Sequence, residues 1–185
     1  AVHGIVERED LPLHEGSKTQ PSNFYGATKL LAEYYCKIYS LEHNVPTMIC
    51  RLWNVYGYPQ RINYEIGWIP VVTAFLTLKE PSIFGDGNQT RDFTYVKDVV
   101  DGLILGMKKL KNDPFPTETV NLCGGSETSI KELYEKCSKI VGREIPSKFE
   151  PPLPGDVPFL LATHSKAHEI LGWKPRTMDE ALDDY

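Results

Sequence analysis

The chain has 185 residues, 41% of them hydrophobic and 24% charged, with a net charge of −5. That balance suits a globular chain with a buried core, folded as one large unit or two small ones. The negative charge argues against a nucleic-acid or membrane-surface binder, and no apolar run approaches the roughly 18 residues that cross a bilayer.

Residues 1–4, "AVHG", read as the end of a strand entering a loop, and residues 5–23 are polar and rich in turn formers. A helix is predicted from about Phe24 to Glu42. Its apolar positions Ala27, Leu31, Tyr34, Ile38 and Leu41 keep helical spacing, and Ser22 or Asn23 can cap its start. "PTMICRLWNVYG" is a strand-like run that stops at Gly57. A loop follows, then a helix near Ile69–Leu78. "PSIFGDGNQTRDFTYV" reads as two short strands around a Gly-Asp-Gly turn. "KDVVDGLILGMKKL" is helical, and its closing lysines Lys108, Lys109 and Lys111 suit the negative end of a helix dipole. "TVNLCGG" is a short strand. "SIKELYEKCSKIVG" is a helix with a capping box of Ser129 and Glu132 and with Gly142 past its end. Two short helices, near 165–171 and 177–184, close the chain, the second with a Thr177/Glu180 box. Helices alternating with short strands make the class α/β.

The four cysteines, Cys36, Cys50, Cys123 and Cys137, form no C-x-x-C pair. A zinc site is not expected; buried free thiols in a reducing, cytoplasmic setting are. Among the five histidines only His164 and His168 stand at i,i+4, and a solvated helix face accounts for them. No G-x-G-x-x-G or G-x-x-G-x-x-G occurs, so these residues hold no pyrophosphate cradle for a dinucleotide.

Tyr25 and Lys29 stand one helical turn apart. With 10 tyrosines and 14 lysines in the chain, chance alone supplies roughly 0.8 such pairs, so the spacing by itself carries nothing. Its chemistry is nonetheless specific. A phenol ionises near pH 10, and an ammonium at about 4 Å favours phenolate by up to roughly 4 kcal/mol at an effective dielectric of about 20. Such a phenol can exchange a proton with an alcohol while hydride moves. The plain alternative is a surface lysine beside a half-buried tyrosine. Trp53 and Asn54 end a strand, where ligands of open α/β sheets sit, or they are simply a strand and its turn. Arg91 can grip a phosphate through two N–H groups, or pair with an acid such as Asp92. Asp156, in "PPLPGDVP", can accept hydrogen bonds from a ribose, or belong to a turn.

In order and spacing, "AVHG", "FYGATKLLAE", "RLWNVYG", "IFGDGNQTRDFTYVKDVV", "VNLCGG", "GDVP" and "SKAHEILGWKP" resemble the extended short-chain dehydrogenases/reductases, the NAD-dependent epimerase/dehydratase family that acts on nucleotide sugars. The resemblance implies part of a Rossmann-like parallel sheet in residues 1–57, rejoined by part of about 94–125. A smaller mixed α/β substrate-binding domain is implied in 58–185. It implies Tyr25 as catalytic acid/base, Lys29 on the nicotinamide ribose, and Trp53 near the nicotinamide of NAD or NADP. It further implies Asn54 at the sugar or its phosphates, Trp68, Ile69, Ser82, Ile83 and Phe84 around the nucleoside, Arg91 at the pyrophosphate and Asp156 at the ribose.

Three departures stand out. The family's amino-terminal glycine-rich half is absent, so the chain is expected to be a carboxy-terminal part, inactive alone. The family's catalytic Ser or Thr, just before a "VYG"-like segment that here reads "VHG", is also absent. Leu153 stands where some members carry a second phosphate-binding arginine, a place Arg61 could fill. Ala1 occupies a position where the family's dehydratases carry Glu, which points to 4-epimerisation of a UDP-sugar through a transient 4-keto intermediate. The alternatives are a 4-keto-sugar reductase or dehydratase, and a non-catalytic nucleotide-sugar binder. A homodimer through the Tyr/Lys helix is expected by analogy.

Overall fold

The computed structural model describes residues 1–57, 80–112, 117–153 and 156–183. The fold is α/β with parallel strand pairs, organised around a two-stranded unit and a set of mostly shorter strands.

The first unit is built on β1 (Thr47–Leu52) and β5 (Thr117–Leu122), which run parallel from Thr47 opposite Thr117 to Leu52 opposite Leu122. Side chains alternate across a strand. Met48 and Cys50 of β1 and Val120 and Leu122 of β5 therefore share a face. There they pack with Leu105 of α2 (Val96–Asn112) and with Ala167, Ile170 and Leu171 of α4 (Ser165–Leu171), closed by Trp173. Arg51 lies on the opposite face, toward α1 (Phe24–His43). Gly102 and Gly106 make the α2 contact close. A Cβ at Gly102 would lie 2.9 Å from Leu122 and one at Gly106 2.8 Å from the Met48 sulfur.

The second set comprises β2 (Asn54–Tyr56), β4 (Thr90–Tyr95) and β6 (Glu127–Ser129), in the order β2-β4-β6, parallel then antiparallel. A separate parallel pair joins β3 (Ser82–Phe84) to β7 (Lys148–Glu150). Their core gathers Tyr56, Ile83, Phe93 and Tyr95 with Ile130, Leu133 and Cys137 of α3 (Ile130–Val141) and Ala181 of α5 (Met178–Leu182). Buried Asp98 of α2 binds the two units to the chain end. Its carboxylate accepts from the Arg176 backbone N–H at 2.9 Å and from Nε at 2.8 Å.

The capping boxes at Ser129/Glu132 and Thr177/Glu180 are both formed, and Gly142 takes the left-handed cap with φ 70°. Asn23, not Ser22, caps α1, accepting from the Gly26 N–H at 2.8 Å. Residues 1–4 form a turn rather than a strand end, closed by the Gly4 N–H donating to the Ala1 carbonyl at 3.3 Å. The two strands flanking Gly85-Asp86-Gly87 do not pair with each other; β3 joins β7 and β4 joins β2 and β6. The helix expected near Ile69–Leu78 lies outside the described residues, as does Arg61. Cys123 and Cys137 are buried, but Cys36 is exposed, against expectation; all four thiols are free. His164 is half-buried, edge-on to Trp173 at 5.9 Å, rather than on a solvated face; His168 is exposed. Among the described residues, no helix is long and apolar enough to cross a membrane.

Candidate active site

A cleft of about 510 Å³ runs between α1, the turn at Ala1–His3 and the edge of β1, from Met48 to Asn54 just past the strand's carboxyl end. α1 lines it with Tyr25, Lys29, Ala32, Glu33 and Cys36, positions that follow one helix face. The opposite wall is the unbroken run Met48–Asn54. Consecutive strand residues point to opposite faces, so a cleft that meets all of them runs along the strand's edge. Among the described residues β1 has β5 as its one strand partner.

Tyr25 is 65% exposed, and Lys29 Nζ lies 5.3 Å from the centroid of its ring. Tyr25 and Lys29 thus share the cleft with Trp53 and Asn54. Trp53 stacks on His3 with centroids 6.3 Å apart and planes 24° apart. Its indole N–H is buried with no acceptor among the described residues. Asn54 spends its amide N–H₂ on the Asp92 carbonyl at 3.0 Å, which pins the end of the cleft to β4.

Behind these residues lies a polar network on which the sequence reading was silent. Buried Glu33 takes Arg51 Nε and Nη2 on its two oxygens, each at 2.8 Å. Arg51 Nη1 donates to the Glu15 carbonyl at 3.1 Å and faces His3 Nε2 at 3.5 Å. His3 Nδ1 meets the Lys18 carbonyl at 3.0 Å. Donation by Nδ1 leaves Nε2 as the acceptor toward Arg51, the neutral tautomer. Burial lowers the His3 pKa, and the Arg51 charge adds to that. The sequence carried a signal for Glu33, a charge one turn beyond Lys29 on the cleft-lining face. A search for apolar stripes passes over it.

Asp92 is another site that sequence reading missed. It has no solvent exposure, and burial pushes it up to about 7. Its oxygens accept backbone N–H groups from Gly124 at 2.7 Å, Gly125 at 3.2 Å and Ala162 at 3.1 Å. Those bonds tie β4 to the turn after β5 and to the segment that enters α4.

Of the remaining expected residues, the described ones (Arg91, Asp156, Ser82, Ile83 and Phe84) do not line the cleft. Arg91 does not pair with Asp92; its Nη2 meets the Asp156 carboxylate, and its Nη1 donates to the Thr90 carbonyl at 2.7 Å. Ile83 is 2% exposed and belongs to the core, while Ser82 and Phe84 beside it are half-buried. Trp68 and Ile69 lie outside the described residues. Leu153 is half-buried, and its carbonyl accepts from the Asp156 N–H at 3.1 Å.

The profile of a family described as GDP-mannose 4,6 dehydratase matches residues 1–184. A putative UDP-glucose 4-epimerase of Methanocaldococcus jannaschii is 36% identical over 176 residues, 95% of this chain and 55% of that relative. Among solved structures, a UDP-N-acetylglucosamine 4-epimerase from Methanobrevibacter ruminantium, in complex with UDP-N-acetylmuramic acid, superposes with a TM-score of 0.86 at 28% identity. It covers 98% of this chain and 57% of that one. A UDP-glucuronic acid 4-epimerase from Bacillus cereus, in complex with UDP-glucuronic acid and NAD, gives 0.83 at 31% identity over 98% and 56%. The chain spans about half the length of the curated relatives it matches.

Proposed function

We propose a function from the premise that this chain belongs to the GDP-mannose 4,6 dehydratase family, within the NAD-dependent epimerases/dehydratases of the extended short-chain dehydrogenases/reductases. The protein of which these residues form the catalytic helix and substrate side is an NAD-dependent 4-epimerase of a UDP-sugar. The observation that carries this reading is the gathering of Tyr25, Lys29, Trp53 and Asn54 around one cleft. The relatives named as 4-epimerases support the choice of reaction.

The cleft residues fit the nicotinamide end of the cofactor. The exposed Tyr25 and Lys29 offer a hydroxyl and an ammonium to a ribose, and the orphaned Trp53 N–H offers a donor nearby. These 185 residues carry no glycine-rich cradle for the pyrophosphate end. NAD, when bound, supplies a reversible hydride acceptor. Tyr25 takes the proton of the sugar 4-hydroxyl and later returns it. Lys29 stabilises the phenolate during that exchange and holds the ribose. Arg91 binds the pyrophosphate, Asp156 the nucleoside ribose, Asn54 the sugar or its phosphates, and Trp68, Ile69, Ser82 and Phe84 surround the nucleoside, while Ile83 stays in the core. The cofactor side comprises residues 1–57 with part of about 94–125, a division supported by the pairing of β1 with β5. The substrate side takes most of 58–185.

A 4,6-dehydratase is the second reading, favoured by the description of the matching family. Ala1, in place of the Glu such enzymes carry, counts against it. A homodimer is proposed through α1, where Leu31, Tyr34, Tyr35, Ile38 and Leu41 are each at least half exposed. Sedimentation of the intact gene product as a monomer would remove it. The four free thiols fit a cytoplasmic setting, testable by fractionation.

Calorimetry and turnover with a panel of UDP- and GDP-sugars on the intact gene product test the assignment. Binding and interconversion of a 4-epimeric UDP pair are expected. Release of water from a GDP-sugar would replace this reading with the second.

A further inference from the structure

α1 is 20 residues long, yet it buries Gly26, Glu33 and Ser40 and no other residue. These recur every seven residues, two turns apart, so among the described residues they form one line along which α1 meets the rest of the fold. Glu33, in the middle, is the one buried charged residue of the helix and makes a two-pronged bond to Arg51 at 2.8 Å on both prongs. A planar guanidinium meeting a planar carboxylate fixes direction as well as distance.

Arg51 is itself anchored. Nη1 donates to the Glu15 carbonyl and faces His3, which stacks on Trp53. Glu15 in turn accepts the Asn121 N–H of β5 at 2.6 Å. One guanidinium thus joins α1, the loop at Glu15, the turn at His3 and, two residues further along its own chain, Trp53.

Building on the proposed reaction, we propose that Glu33 and Arg51 are positioning residues that set the roll of α1, and so aim Tyr25 and Lys29 at the space in front of Trp53 and Asn54. Lys29 precedes Glu33 by one turn, about 40° around the axis, and Tyr25 precedes it by two. A tyrosine oxygen stands about 9 Å from its helix axis, so a roll of only about 10° moves it by roughly 1.5 Å. Misplacement by about 1 Å costs on the order of a hundredfold in rate. The pair therefore acts on turnover through geometry and leaves the residues proposed to hold the substrate, Arg91 and Asp156, where they are.

The test uses Glu33→Gln, which keeps shape and loses the charge, and Arg51→Lys, which keeps the charge and loses the fork. Both are made in the full-length gene product. Turnover is divided by the number of sites that titrate in calorimetry with the UDP-sugar, so loss of folded protein cancels. Both variants are expected to lose at least tenfold in kcat per site, with the UDP-sugar Kd within threefold and a larger solvent isotope effect on kcat. Turnover per site within twofold of the parent would overturn the proposal, as would kcat and site number falling together. Crystal structures of the variants decide the matter independently of turnover. A rolled α1 supports it, and an unmoved α1 overturns it even if the parent proves inactive on every nucleotide sugar.

Discussion

Arg91 and Asp156, 65 residues apart in the chain, are bonded to each other: the guanidinium of one meets the carboxylate of the other. Thr90 tightens the same junction, donating its N–H to the Pro158 carbonyl at 3.0 Å. The two side chains proposed for the pyrophosphate and the ribose thus stand within one ligand's reach, and the cation is held ready by an anion.

Arg91→Gln is expected to weaken UDP-sugar binding by about ten- to a hundredfold, the worth of a hydrogen bond to a charged group. NAD affinity should move by less than threefold. Calorimetry with each ligand checks both, and an unchanged UDP-sugar Kd would remove Arg91 from the pyrophosphate.

Asp92 predicts a pH dependence of stability. Its folded-state pKa, about 7, lies above the ordinary 3.8, so the folded protein keeps this proton longer than the unfolded one. Its contribution is complete below about pH 4 and is lost as the pH rises through about 7, at most about 4 kcal/mol. Urea unfolding at pH 4 to 8 should show that decline in the parent and not in Asp92→Asn. Parallel profiles would contradict it.

Gly26 sits between Tyr25 and Lys29 because the turn at Ala1 passes close. A Cβ there would lie 2.6 Å from the Ala1 carbonyl oxygen and 3.1 Å from Pro21. Alanine favours a helix by about 1 kcal/mol over glycine. Backbone cannot yield as a flexible side chain would, so Gly26→Ala is expected to displace the start of α1. Turnover should fall at least tenfold while circular dichroism keeps its helical signal; full turnover would show that the turn at Ala1 accommodates the methyl.

These consequences differ in how far the sequence foreshadowed them. The caps of α3 and α5 were legible because a capping box is local, complete within four residues. α1 was legible as a helix, but its apolar stripe does not face the fold. Leu31, Tyr34, Ile38 and Leu41 are exposed, while Gly26, Glu33 and Ser40 form the seam. Helical spacing shows that a face is apolar and leaves open what covers it. The partners of β3 and β4 and the pairing of Arg91 with Asp156 span long stretches of chain, and no local pattern encodes such register. Tyr25 and Lys29 stood out through the motif around them. Arg51, two residues before Trp53, gave no comparable sign, because its role depends on a glutamate on another element.

The central claim is that Tyr25 carries the proton of the reacting hydroxyl. Turnover of the intact gene product with the proposed UDP-sugar, parent against Tyr25→Phe, tests it most directly when paired with calorimetry on the same samples. Interconversion should vanish in the variant while the ligand still binds within a few-fold of its parent affinity. A phenylalanine enzyme that turns over at the parent rate would contradict the account.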